Sequence, residues 1–120
     1  PYSLRGRVIK GDKLGRVLGF PTANIDLDSH DKLIPVEGIY AVKVRHENQQ
    51  FGGMLYIGTR PTVGGTRRNI EVNIFNFDKE IYGETLEVYF LKLLRMDSKF
   101  NDLESLKQQL HKDKIEALHV

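Results

Sequence analysis

The chain has 120 residues, 40% apolar and 28% charged, which suits one folded core and excludes a two-domain or low-complexity chain. Its net charge is only +2, with Lys and Arg scattered among Asp and Glu, so it lacks the concentrated basic face of a nucleic-acid binder. It has no cysteine, which rules out disulfides, thiolate zinc sites and a thiol nucleophile, and no apolar run approaching the roughly 18 residues that span a bilayer as a helix.

In chain order, Leu4 to Ile9 alternates as a strand rather than forming a signal-peptide core. Gly38 to Arg45 is a second strand, with Tyr40, Val42 and Val44 on one side and Ile39, Ala41, Lys43 and Arg45 on the other. The polar stretch His46 to Gln50 is expected to turn the chain into a hairpin partner, Phe51 to Gly58, where Gly52 and Gly53 suggest a bulge or bend. Ile70, Val72 and Ile74 alternate with Glu71, Asn73 and Phe75, which puts Glu71 on the face opposite the aliphatics. Tyr82-Gly83-Glu84 is a turn, with Tyr82 expected to pack on the barrel, and Thr85 to Leu94 is a strand buried for most of its length. Only the end is helical: Asn101 and Glu104 have the spacing of a capping box, and Leu103, Leu106 and Leu110 form a core stripe. Short strands with turns and one final helix predict a mostly β fold, an antiparallel, Greek-key-like barrel of about six strands with a C-terminal helix.

Residues 6–24 carry most of the chemistry. Gly11, Gly15 and Gly19 would let backbone N–H groups approach phosphate oxygens. Gly6 and Gly11 have Walker A spacing but are followed by Asp12-Lys13, so the chain has no P-loop. Thr22 and Asn24, on one side of an extended segment stiffened by Pro21, offer two hard oxygens that suit Mg²⁺; a proline turn in which both bond to backbone is the alternative on spacing alone. The four histidines have neither zinc-ligand spacing nor a nucleophile partner.

The run Gly15-Arg16-Val17-Leu18-Gly19-Phe20-Pro21-Thr22-Ala23-Asn24 resembles the signature of riboflavin kinases. Ile70-Glu71-Val72-Asn73-Ile74-Phe75 with Asp78 and Ile81-Tyr82-Gly83-Glu84 is similar to that family's catalytic strand and turn. Leu94-Arg95, Lys99-Phe100 and Leu103-Glu104-Ser105-Leu106 are similar to its closing segment. The blocks occur in family order over essentially the whole chain. The resemblance implies a kinase that uses ATP and Mg²⁺ to convert riboflavin to FMN. Glu71 would be the catalytic base; Gly11, Arg16, Thr22 and Asn24 would hold the nucleotide, the last two with the metal; Arg95 and Phe100 would meet the flavin. Met96-Asp97 departs from the acidic pair or Pro-Glu that often follows this arginine in the family.

The resemblance also implies a cytoplasmic enzyme and, upstream of a chain that starts at Pro1, an FMN adenylyltransferase domain, so residues 1–120 are expected to be an excised kinase domain. Neither nucleic acid nor membrane is an expected partner. Two other readings compete: a non-catalytic barrel that binds through its strands, and a flavin-binding split barrel with redox chemistry. Neither gives a reason for Thr22, Asn24 and Glu71 to occur together.

Overall fold

The computed structural model describes residues 2–9, 22–27, 35–77, 81–96 and 99–120. Six strands, β1 (Ser3–Ile9), β2 (Ala23–Leu27), β3 (Gly38–His46), β4 (Gln49–Thr62), β5 (Gly65–Ile74) and β6 (Thr85–Met96), precede one helix, α1 (Leu103–Leu118). The strands close into an antiparallel barrel in the order β1-β2-β5-β4-β3-β6, with β6 pairing back onto β1. Closure leaves no open edge, so the ladder satisfies backbone groups all round the wall.

The period-two alternation decides which side chains fill the barrel. Tyr40, Val42 and Val44 of β3, Leu55 and Ile57 of β4, Ile70, Val72 and Ile74 of β5, and Leu86, Val88 and Phe90 of β6 form the interior with Leu4, Val8 and Ile25. The opposite parity of β3 and β4 forms a second apolar layer outside the barrel. There Ile39, Ala41 and Met54 pack with Phe75 and Ala117, flanked by Tyr56, Leu94, Leu106 and Leu110. Helix α1 therefore covers the outer wall over β3 and β4.

Several local expectations are corrected. The helix is capped by Asp102 rather than Asn101: the Asp102 carboxylate accepts the Ser105 N–H at 2.7 Å, and this bond holds its carboxyl below the usual value of 3.8. Leu103 stays 54% exposed because the buried stripe runs through Leu106, Leu110, Asp113 and Ala117. Gly52 and Gly53 pair with β3 in continuous register, and the irregularities fall instead where β3 meets β6, beside Leu91 and Leu94. Gly53 serves close packing: a Cβ there would come 2.8 Å from the Asn73 carbonyl oxygen. The hairpin turn is only Glu47-Asn48, with Glu47 at φ 56°, while His46 ends β3 as a buried residue. Tyr82 is 49% exposed. Among the described residues, no helix is long and apolar enough to cross a membrane.

Candidate functional site

The site lies on the outer wall at β5 and β2, beside the part that α1 covers. Because Ile70, Val72 and Ile74 point inward, Asn69, Glu71 and Asn73 point outward in a row. Glu71 sits directly opposite Asn24 of β2 on one side and Tyr56 of β4 on the other. On β2 the same logic applies: Ala23 and Ile25 face the interior, so Thr22 and Asn24 share the outer face with Glu71.

The carboxylate of Glu71 is half-buried and accepts hydrogen bonds at both oxygens. The Thr22 hydroxyl donates to Oε1 at 3.0 Å, and the Asn69 side-chain amide donates to Oε2 at 2.8 Å. Asn24 is only 6% exposed although it lies outside the barrel interior. On β4, Gly58 pairs with Asn69 and is covered by the Tyr56 phenol, which lies where a side chain at position 58 would stand.

Thr22, Asn24 and Glu71, chosen from separate stretches of sequence, are thus brought together. Arg95 and Phe100 form a second group. The Arg95 guanidinium sits 5.6 Å from the centre of the Phe100 ring and makes paired hydrogen bonds, both 2.9 Å, to the Asp113 carboxylate on α1. Asp113 is 2% exposed and also accepts from Gln109 at 3.0 Å. The end of β6 is therefore tied to the helix. Gly11 and Arg16, like Gly15, Gly19, Pro21 and Asp78, lie outside the described residues.

Sequence reading missed Asn69 and Asp113. The first had a signal, an Asn two positions before Glu71 on an alternating strand, which period two places on the same face. The second had none, since an Asp in a helix with charged neighbours reads as solvated. Among the histidines, His46 is buried with Nε2 2.7 Å from the Glu84 carboxylate, its ring edge-on to Phe77. That contact ties the 81–84 turn to the end of β3, away from Glu71.

The lone-pair geometry bears on metal binding. With its proton directed to Glu71, the Thr22 oxygen keeps its lone pairs for another partner, and Asn24, opposite Glu71 in the β2–β5 ladder, carries an amide oxygen that could serve as a second ligand. Two neutral hard oxygens next to a carboxylate fit Mg²⁺, which keeps several waters and takes few protein ligands.

A closed six-strand antiparallel barrel thus presents a carboxylate, a hydroxyl and side-chain amides together on its outer wall. More specifically, the chain belongs to the riboflavin kinase family: the family model "Flavokinase: Riboflavin kinase" matches residues 1–120. It is 46% identical over 114 residues to the bifunctional riboflavin kinase/FMN adenylyltransferase of Haemophilus influenzae, covering 94% of this chain and 36% of that protein. The Bacillus subtilis protein of the same description is 41% identical over 121 residues, covering 98% and 38%. The chain thus spans little more than a third of the length of these curated relatives.

Among solved structures, a Streptococcus pneumoniae protein described as a macrolide-efflux protein superposes with a TM-score of 0.89 at 38% identity, over 95% of this chain and 37% of that one. Riboflavin kinase from Trypanosoma brucei shares the fold, with a TM-score of 0.68 at 24% identity over 98% of this chain and 77% of that one.

Proposed function

We propose that this chain transfers the γ-phosphate of ATP to the ribityl 5′-hydroxyl of riboflavin, with Glu71 as the general base. The observation that carries this reading is the hydrogen bond between Thr22 and Glu71, residues 49 positions apart in the chain. It brings a candidate metal ligand and a candidate base to one point on the wall. A primary alcohol is a poor nucleophile at neutral pH, so a carboxylate within hydrogen-bond reach takes its proton as the new P–O bond forms. Mg²⁺, when bound, neutralises charge on the phosphate oxygens; Thr22 and Asn24 would hold it. Gly11 and Arg16 would cradle the phosphates, and Arg95 and Phe100 would flank the flavin.

The outer position of Glu71 suits this role. Inside the barrel, an ionised carboxylate would lose its hydration among aliphatic side chains. On the wall it is half-buried and meets two donors. By analogy with the bifunctional relatives, we place an FMN adenylyltransferase domain upstream in the full-length protein, and a cytoplasmic location follows from the same analogy. Incubating the chain with riboflavin, Mg²⁺ and ATP should give FMN and ADP by chromatography. Riboflavin binding without FMN would favour a non-catalytic binding module.

A further inference from the structure

We propose that Asn69 is a positioning residue for the phosphate transfer: its amide holds the Glu71 carboxylate in the orientation in which it takes the substrate proton. This rests on the reading of Glu71 as the base. A glutamate on a strand has three rotatable bonds. A single donor at Oε1 would pin one oxygen and leave the carboxylate plane free to swing around it; a second donor at Oε2 fixes the plane. Thr22 holds Oε1 at 3.0 Å and Asn69 holds Oε2 at 2.8 Å.

The two donors are not equivalent. The Thr22 oxygen has a second use as a candidate cation ligand, so its position depends on what occupies the site. Asn69 has no such conflict. Its backbone is fixed in the β4–β5 ladder opposite Gly58, and its amide can donate to the carboxylate whether or not nucleotide is present.

Tyr56 on β4 is ionisable and lies over Gly58, beside Asn69. On β2, Thr22 and Asn24 are neutral, and Asp26, one step further along the outer face, pairs in register with Arg7 of β1. Arg68 has the opposite parity on β5 and donates to the Pro35 carbonyl at 3.2 Å. Among the described side chains, Asn69 is therefore the neutral donor dedicated to Glu71.

The test measures kcat and the KM values for riboflavin and Mg·ATP in FMN formation for the wild-type chain and for Asn69→Ala, Asn69→Asp and Glu71→Gln, with thermal midpoints as folding controls. Asn69→Ala should lower kcat about tenfold, the worth of one hydrogen bond to a charged group, with KM for ATP little changed. Asn69→Asp removes the donor and sets a carboxylate beside Glu71, and should lower kcat at least as far as Asn69→Ala.

If Glu71→Gln loses turnover while both Asn69 variants keep the wild-type kcat, the positioning role is overturned and the base reading stands. If Glu71→Gln turns over like wild type, the base reading fails and the role of Asn69 falls with it.

Discussion

The pairing of Arg95 with Asp113 gives a sharp stability test of how the helix is held. Asp113 is 2% exposed and takes two hydrogen bonds of 2.9 Å from Arg95, whose side chain is 20% exposed. Asp113→Leu leaves the guanidinium partly buried without its counter-charge. Breaking a buried pair in this way costs about 3 to 5 kcal/mol, and the partial exposure of Arg95 points to the lower end, about 3 kcal/mol. Unfolding entropy for a chain of this length is about 0.25 kcal/mol per kelvin near 60 °C, so the thermal midpoint should fall by about 12 °C. The double variant Arg95→Met/Asp113→Leu removes both charges and supplies apolar volume in a layer that already holds Leu94, Leu106 and Leu110. It should recover to within about 1 kcal/mol of wild type, because the desolvation cost goes with the charges. Differential scanning calorimetry on wild type, the two single variants and the double variant completes the cycle. A single-variant loss under about 4 °C, or a double variant as unstable as Asp113→Leu, would refute the claim that this ion pair fastens α1 to β6.

The catalytic assignments separate by which kinetic constant moves. Glu71→Gln should leave the midpoint within a few degrees and lower turnover by about two to four orders of magnitude, as measured by FMN formation. Thr22→Ala should raise the Mg²⁺ concentration needed for half-maximal rate as well as lowering kcat, since it removes both a donor to Glu71 and a candidate metal oxygen; an unchanged metal dependence would make Thr22 a turn residue. Gly6→Ala should destabilise the barrel by about 1 to 3 kcal/mol in chemical denaturation, because the new Cβ would lie 2.6 Å from the Asp26 carbonyl oxygen and 2.4 Å from Ile25 Cγ2.

Much of the barrel was legible because a closed sheet imposes period two on its sequence. Tyr40/Val42/Val44 and Ile70/Val72/Ile74 announced their inward faces, and both triplets are in the core. β2 was not in the expected set of strands: five residues with one core isoleucine carry too little alternation to stand out. The reach of β4 and β5 to Thr62 and Gly65 was hidden by Pro61 and the paired Gly64-Gly65, which read as loop when seen without their ladder. The helix was legible, but its start moved one residue because Asp102, which accepts the Ser105 N–H, is the better cap. The outward direction of Glu71 followed from parity alone. Its two hydrogen-bond partners did not, since Thr22 reaches it through the β2–β5 pairing, a contact that no local pattern encodes.

That pairing also explains why the wall, rather than the interior, carries the polar cluster. In a six-strand barrel the interior is narrow, and here it is filled by aliphatic and aromatic side chains from all six strands. Chemistry that needs a charged group and room for ligands must therefore use the outer parity. One 16-residue helix cannot cover the whole circumference, and it packs where β3 and β4 offer Ile39, Ala41 and Met54. The adjacent outer positions of β5 and β2, Asn69, Glu71, Asn73 and Asn24, are polar and would have made a poor seat for it. The apolar layer thus sets where the helix docks, and by docking there the helix leaves the Glu71 face for ligands. Arg95 and Phe100 lie where β6 leads into the helix, so the residues proposed to meet the flavin are held by the same ion pair to Asp113 that fixes the helix. Loss of that pair should therefore disturb stability and flavin binding together, whereas loss of Asn69 should disturb only the aim of Glu71.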